Sequence, residues 1–161
     1  MIRVGFGFDV HPLVPGRPLV LGGVAVPSDV GLDGHSDADV LAHAIGEALL
    51  GALALGDLGR HFPDTDPRYR GISSLTLLSH VMSLIASRSA HLVNVDATVV
   101  AQAPRLTARL PEMAKCLAEA LGIDADRVSV KAKSPERLGF LGRTEGIAAM
   151  AVVGVEVRGG S

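Results

Sequence analysis

Tryptophan is absent from this chain, tyrosine and cysteine occur once each, and aromatic residues make up only 3% of it. So few rings leave little on which to stack bases, which argues against a nucleic-acid partner. A formal net charge of -2 with no basic run likewise lacks the electrostatic footprint of a nucleic-acid or acidic-membrane binder. Cys116 has no second cysteine to pair with, so an internal disulfide is excluded and a reducing cytosol fits. No apolar stretch is long enough to cross a bilayer; the longest, Leu49 to Leu55, is broken by Gly51. No charged and then apolar leader precedes the strand-like residues from Ile2, so a secretory signal is not expected. These absences describe a soluble, cytoplasmic protein. Its 161 residues suit one domain, taken as 1–158, with Gly159, Gly160 and Ser161 as a frayed tail. With 48% hydrophobic residues and almost no rings, the core has to be built from Ala, Val and Leu.

Periodicity predicts strands over Ile2–Val10 and Leu19–Val26, paired as a hairpin through a turn-rich stretch holding Pro12, Pro15, Gly16 and Pro18. Val40, Leu41, Ala44, Ile45, Ala48 and Leu49 are spaced as the core stripe of a helix over Asp37–Leu55, N-capped by Ser36 and ended by Gly56. Residues Asp57 to Gly71 read as a loop longer than ordinary connections, a length usually kept for function or disorder. A helix at Ser74–Arg88 follows, then a strand at Leu92–Ala101 with Val93, Val95, Ala97 and Val99 on one face. A third helix runs from near Pro111 to Leu121 with Gly122 as terminator, and strands at Val128–Ala132 and Ile147–Val157 finish the chain. The order β-β-α-α-β-α-β-β implies an α/β chain of the α+β type, a two-layer sandwich with helices on one face of a mixed β-sheet.

Chemistry concentrates in a few segments. Asp9 and His11 sit two apart on the first strand and so point to one side, where His43 of a facing helix can join them. A carboxylate and two imidazoles suit zinc and leave a fourth tetrahedral position open. The competing reading is a strand-end pair held by backbone hydrogen bonds, with His43 on a helix surface. His35-Ser36-Asp37-Ala38-Asp39 precedes that helix, where free N–H groups, a hydroxyl and an imidazole suit a phosphate; simple capping by Ser36 is the alternative. Asp39, His43 and Glu47 share a stripe at i, i+4 spacing, which would set such a phosphate near the metal. Asp64 and Asp66, among Pro63 and Pro67, either form Asx-turns or accept hydrogen bonds from a polyol. Lys131 to Phe140 suits a polyphosphate with a divalent ion, Lys133 and Ser134 meeting oxygens and Glu136 the hard cation; a solvated charged turn is the alternative.

Taken in order, Gly5-Phe6-Gly7-Phe8-Asp9-Val10-His11, Gly34-His35-Ser36-Asp37-Ala38-Asp39, Ala54-Leu55-Gly56-Asp57-Leu58-Gly59, Phe62-Pro63-Asp64-Thr65-Asp66-Pro67, Ala101-Gln102-Ala103-Pro104-Arg105, Lys131-Ala132, Leu138-Gly139-Phe140 and Gly142-Arg143-Thr144-Glu145-Gly146-Ile147 closely resemble the 2-C-methyl-D-erythritol 2,4-cyclodiphosphate synthase family. Each block alone is weak, but eight in order along nearly the whole chain are specific. The resemblance implies a homotrimer with active sites between subunits. It implies a phosphorus-oxygen lyase of the non-mevalonate isoprenoid pathway that converts 4-diphosphocytidyl-2-C-methyl-D-erythritol 2-phosphate into the cyclic diphosphate and CMP. Matching positions imply Asp9, His11 and His43 as zinc ligands, Asp9 and His11 also touching substrate, and His35 and Ser36 against the phosphate and erythritol. Asp57, Leu58, Gly59, Phe62, Asp64 and Asp66 are implied for the polyol pocket. Ala101, Pro104, Arg105, Leu106 and Thr107, with Lys133 and Ser134, are implied for the cytidine diphosphate, and Glu136 for a magnesium or manganese ion. Phe140 complete the substrate-binding set together with Arg143, whose counterpart faces a cavity on the three-fold axis that can hold an isoprenoid diphosphate. For Arg143 a salt bridge with Glu145 or a neighbouring subunit is the alternative. His35 and Ser134 are the implied transition-state stabilisers. Against the family pattern, Phe6 replaces a common polar residue, Lys133-Ser134-Pro135 stiffens a Thr-rich loop, and Glu47 stands for a common Asp. The rivals are a zinc phosphodiesterase with a linear product and a trimeric module that binds without turnover.

Overall fold

The computed structural model describes residues 1–158, so the tail assigned to residues 159–161 lies outside the described residues. In chain order the elements are β1 (Ile2–Pro15), β2 (Leu19–Leu21), β3 (Val24–Val26), β4 (Val30–Leu32), α1 (Val40–Ala52), α2 (Leu58–His61), α3 (Ser74–Ser87), β5 (Ala90–Val100), α4 (Leu110–Leu121), β6 (Val128–Lys133), α5 (Gly139–Gly142) and β7 (Gly146–Val157). The main sheet has the order β4-β1-β7-β5-β6, parallel only between β5 and β6, and is therefore mixed as expected. Helix α1 packs on β1 and β7, with α3 and α4 beside it on the same side.

The hairpin expected between Ile2–Val10 and Leu19–Val26 does not form. Residues 19–26 fold on themselves as the β2–β3 ribbon, because Gly22 and Gly23 take positive φ (57° and 75°) and make a tight primed turn. Strand β1 instead pairs with β7 over Ile2–Pro12, and only its end meets β4. Helix α1 is shorter than the periodicity suggests. It ends at Ala52, with Ala54 in the left-handed region (φ 55°), Leu55 N–H donating to Leu50 O (3.0 Å) and Ala54 N–H to Gly51 O (3.1 Å), so closure precedes Gly56. It is also buried almost all round rather than along one stripe, since α3 covers the side that the sheet does not. In β5 a bulge between Leu92 and Asn94 breaks the alternation, so Leu92 is buried and Val93 turns outward, against the expected phase.

Two close contacts set the distance between the layers. A β-carbon at Gly5 would fall 1.9 Å from the Ala48 carbonyl oxygen, and one at Gly7 1.9 Å from that of Ala44. Only hydrogen side chains let β1 approach α1 so nearly, and that approach carries Asp9 to His43. The other face of β1 presents Ile2, Val4, Phe6, Phe8 and Val10 to solvent, with Val152 of β7 beside them. Val4 is 69% and Phe6 63% exposed, an apolar strip of the kind that soluble monomers seldom leave bare.

Candidate active site

Strand alternation turns Gly5, Gly7, Asp9 and His11 of β1 toward the helical layer. Helix α1 supplies His43 opposite them. Asp9 Oδ2 lies 2.9 Å from His11 Nε2 and 3.0 Å from His43 Nδ1, and the two imidazole nitrogens are 3.2 Å apart. For a tetrahedral ion with bonds near 2.0–2.1 Å, ligand atoms stand roughly 3.3 Å apart, so this triangle is close to the required size.

The remaining imidazole nitrogens are committed in a way that suits metal binding. His11 Nδ1–H donates to Asp33 O (2.8 Å), which leaves Nε2 with its lone pair inward. The Ser74 hydroxyl donates to Asp37 Oδ1, so its oxygen accepts from His43 Nε2–H at 2.8 Å, and Ser36 Oγ lies 3.1 Å from the same nitrogen. His43 Nδ1 is thereby free to bind. With no metal between the three groups, burial would lift the Asp9 carboxyl, but hydrogen bonds from His11 Nε2 and His43 Nδ1 when they are protonated outweigh it and hold the group at about 2. Burial would lower His11, but the Asp9 carboxylate beside it raises it on balance. An anionic Asp9 facing two ring nitrogens is a donor set that fits a divalent metal ion.

A pocket of about 390 Å³ opens over this triangle, and His35, Ser36, Leu58, Gly59, Phe62 and Asp64 line it along with Asp9, His11 and His43. Two further members are not among the site residues named from the sequence: Gly34, which opens the Gly34–Asp39 block, and Leu77, for which the sequence has no signal. Of the Asp39–His43–Glu47 stripe, only His43 and Glu47 face the pocket. Glu47 accepts from Leu58 N–H (3.2 Å), tying the α2 turn to the helix that carries His43, and burial raises its carboxyl against that bond.

Asp39 turns away because it, rather than Ser36, is the N-cap of α1. Fully buried, it accepts from Ala42 N–H (3.1 Å) and from Gly22 and Gly23 N–H (2.9 and 2.7 Å), locking the β2–β3 turn to the helix start. Ser36 Oγ in turn takes Ala38 N–H (3.2 Å). Among the N–H groups at this helix start, those of Asp37, Ala38, Asp39 and Ala42 are therefore already bonded, and the His35 and Ser36 side chains face the pocket. Arg17 aims those side chains, donating to the carbonyls of Gly34 and Ser36 (3.0 Å each) on either side of His35.

Asp57 and Asp66 do not line the pocket. Asp57 caps α2 through Arg60 N–H (2.9 Å). Asp66 accepts from Arg68 N–H (2.9 Å) and pairs with the Arg68 guanidinium (2.7 Å), which is the Asx-turn reading. Asp64 faces the cavity.

Ala101, Pro104, Arg105, Leu106, Thr107, Lys133 and Ser134 gather elsewhere, around a second cavity of about 390 Å³ that Gln102 and Ala132 complete. It shares no residue with the first. Across the sheet Asp9 is level with Ala149, Ala149 with Val99, and Val99 with Ala132, which makes three strand spacings, roughly 14 Å. Glu136, Phe140 and Arg143 line neither cavity. Glu136 N–H bonds Ser134 Oγ (3.0 Å), and Arg143 pairs with Glu145 (3.2 Å), the salt-bridge alternative raised for it.

A family model described as the YgbB family matches residues 2–156. The chain is 60% identical over 157 residues to the 2-C-methyl-D-erythritol 2,4-cyclodiphosphate synthase of Geobacter metallireducens, covering 98% of this chain and 100% of that protein. A solved 2C-methyl-D-erythritol-2,4-cyclodiphosphate synthase with CDP bound superposes with a TM-score of 0.88 at 38% identity, covering 96% of this chain and 100% of that one. The bifunctional IspDF of Campylobacter jejuni gives a TM-score of 0.94 at 40% identity, covering 98% of this chain and 43% of that one.

Proposed function

The chain belongs to the YgbB family, the family of the cyclodiphosphate synthases it matches, and from that premise we propose that it is a CMP-releasing phosphorus-oxygen lyase. It converts 4-diphosphocytidyl-2-C-methyl-D-erythritol 2-phosphate into 2-C-methyl-D-erythritol 2,4-cyclodiphosphate, in the cytoplasm, for isoprenoid synthesis. The observation that carries the reading is the Asp9–His11–His43 triangle opening into the pocket lined by His35, Ser36 and Asp64.

An oxygen of the 2-phosphate attacks the β-phosphorus, the bond from that phosphorus to the bridging oxygen breaks, and CMP leaves with the electron pair. The nucleophile is already anionic, so the protein's task is alignment and charge neutralisation rather than proton abstraction. Asp9, His11 and His43 would hold zinc, which would supply Lewis acidity toward the β-phosphate, and Glu136 would hold a magnesium or manganese ion that would add positive charge toward the leaving group. His35 and Ser36 hold the phosphate and erythritol end, Asp64 accepts from the polyol hydroxyls, and Leu58, Gly59 and Phe62 exclude water. Arg105, Lys133 and Ser134 neutralise the diphosphate in the second cavity, with Ser134 steadying the transition state alongside His35.

The two cavities of one chain, roughly 14 Å apart by strand count, are brought together in a homotrimer, where the nucleotide cavity of one copy faces the metal pocket of the next. The bare apolar strip of β1 and β7 supports that association. Arg143 and Phe140, at neither cavity, are left for the three-fold axis and an isoprenoid diphosphate bound there.

Phosphorus NMR of the zinc- and magnesium-loaded protein with substrate tests the reading. CMP together with a cyclic diphosphate, absent with His43→Ala, is the expected result. A linear product would make the protein a hydrolase, and an unchanged spectrum would remove catalysis altogether.

A further inference from the structure

The titratable groups that line the metal pocket are carboxylates and imidazoles, with no lysine or arginine among the described lining residues. A phosphomonoester bears close to two negative charges at neutral pH, and this wall offers it no permanent cation. The diphosphate is better served, since Arg105 and Lys133 line the other cavity.

A third cavity of about 340 Å³ adjoins the metal pocket and shares His35 and Asp64 with it. Among the described residues its one permanent cation is Arg70. The backbone there is fastened to the substrate-facing segment: Gly71 N–H donates to His35 O (2.8 Å), and Asp37 N–H donates to Ile72 O (3.1 Å). Arg70 therefore stands beside His35 by construction of the fold. Its neighbour Arg68 is taken up by Asp66, whereas the exposed Arg70 guanidinium has no ion pair or side-chain hydrogen bond among the described residues.

We propose that Arg70 is the cation that binds the attacking 2-phosphate of the substrate, meeting it beside His35 from the Asp64–Arg70 cavity. The assignment rests on the function proposed above and deepens it. A planar guanidinium can hold two phosphate oxygens at once, which orients the third toward the β-phosphorus as well as neutralising charge. It also makes the site discriminate: a ligand identical except for the missing 2-phosphate has nothing to give Arg70.

Calorimetric binding of the substrate and of 4-diphosphocytidyl-2-C-methyl-D-erythritol, which lacks that phosphate, is compared for wild type, Arg70→Ala and Arg70→Lys, each stripped of metal so that the substrate binds without being turned over, and CMP release is followed separately on the metal-loaded proteins. The wild type is expected to prefer the phosphorylated ligand. Arg70→Ala should cut that preference by about tenfold while leaving affinity for the other ligand within twofold, and Arg70→Lys should restore part of it. An undiminished preference in Arg70→Ala overturns the proposal even where CMP is still released, and the function then stands. Equal weakening of both ligands overturns it too, because the loop's fold and not its charge would be at stake. Selective loss of the preference in a protein that releases no CMP upholds Arg70 as the phosphate site while the proposed reaction falls.

Discussion

Replacing Gly7 by alanine should damage the metal site without touching a ligand. The added β-carbon would lie 1.9 Å from the Ala44 carbonyl oxygen and 2.6 Å from Ala48 N, against the 3.0 Å below which such contacts essentially do not occur. Both obstacles are backbone, so no rotamer change relieves them. Strand β1 and helix α1 would have to part by at least about 1 Å in an interior packed too densely to absorb it. Asp9 is two residues from Gly7 and His43 adjoins Ala44, so the 3.0 Å gap from Asp9 Oδ2 to His43 Nδ1 widens by a similar amount. That exceeds the roughly 0.2 Å tolerance of metal–ligand distances. Zinc affinity should fall on the order of 100-fold, and stability by about 2–3 kcal/mol from overpacking. Competition with a chromophoric chelator reads the first, and urea unfolding of the metal-free protein the second. Gly51→Ala on the same helix is the control: its nearest neighbour, Phe6 O, is 3.8 Å away, so it should gain roughly 0.5–1 kcal/mol. Were Gly7→Ala to unfold within about 0.5 kcal/mol of wild type and hold zinc as tightly, the argument that this glycine sets the ligand spacing would be wrong.

Asp39→Asn keeps the shape but turns an amide N–H₂ toward one of three backbone donors, and should cost about 1–3 kcal/mol in urea unfolding; a cost near zero would contradict the cap assigned to it. Arg17→Ala should lower kcat/KM on the order of 10- to 100-fold by freeing the His35 segment, with no rescue by lysine, whose single nitrogen cannot span both carbonyls. Rates within threefold of wild type would remove Arg17 from that role. Metal and proton compete for His11. In the metal-free protein its raised value contributes stability that is full below the ordinary histidine range and lost as pH rises through the folded value. With zinc the trend reverses, since Nε2 must lose its proton to bind. Thermal scans at about pH 6 and about pH 8 should therefore show metal-free stability falling and the zinc-induced gain rising; parallel trends would refute the coupling.

The ligand set was legible because its cause is local. A two-residue spacing on a strand puts Asp9 and His11 on one side whatever the rest of the fold does, and α1 announces itself by its apolar spacing. The ordered blocks carried the family and its chemistry. Partners across long stretches of chain were not legible. That β1 pairs with β7 rather than with residues 19–26 depends on contacts more than a hundred residues away, and the Gly22–Gly23 turn diverts the local candidate. The i, i+4 spacing that puts Asp39 on one stripe with His43 and Glu47 holds only inside a helix, and as N-cap Asp39 stands just outside one.

The sequence by itself determined which side chains can do chemistry here, since residue type and short-range spacing settle donor atoms, charge and the face of a strand or helix. Only the tertiary structure decided which nitrogen of each imidazole is free, that Arg17, Ser74 and Glu47 hold the site in place, and that beside His35 it is Arg70 rather than Arg68 that has no ion-pair partner among the described residues. Those outcomes depend on hydrogen bonds between segments far apart in the chain, and such bonds exist only once packing has brought their donors and acceptors within about 3 Å of one another.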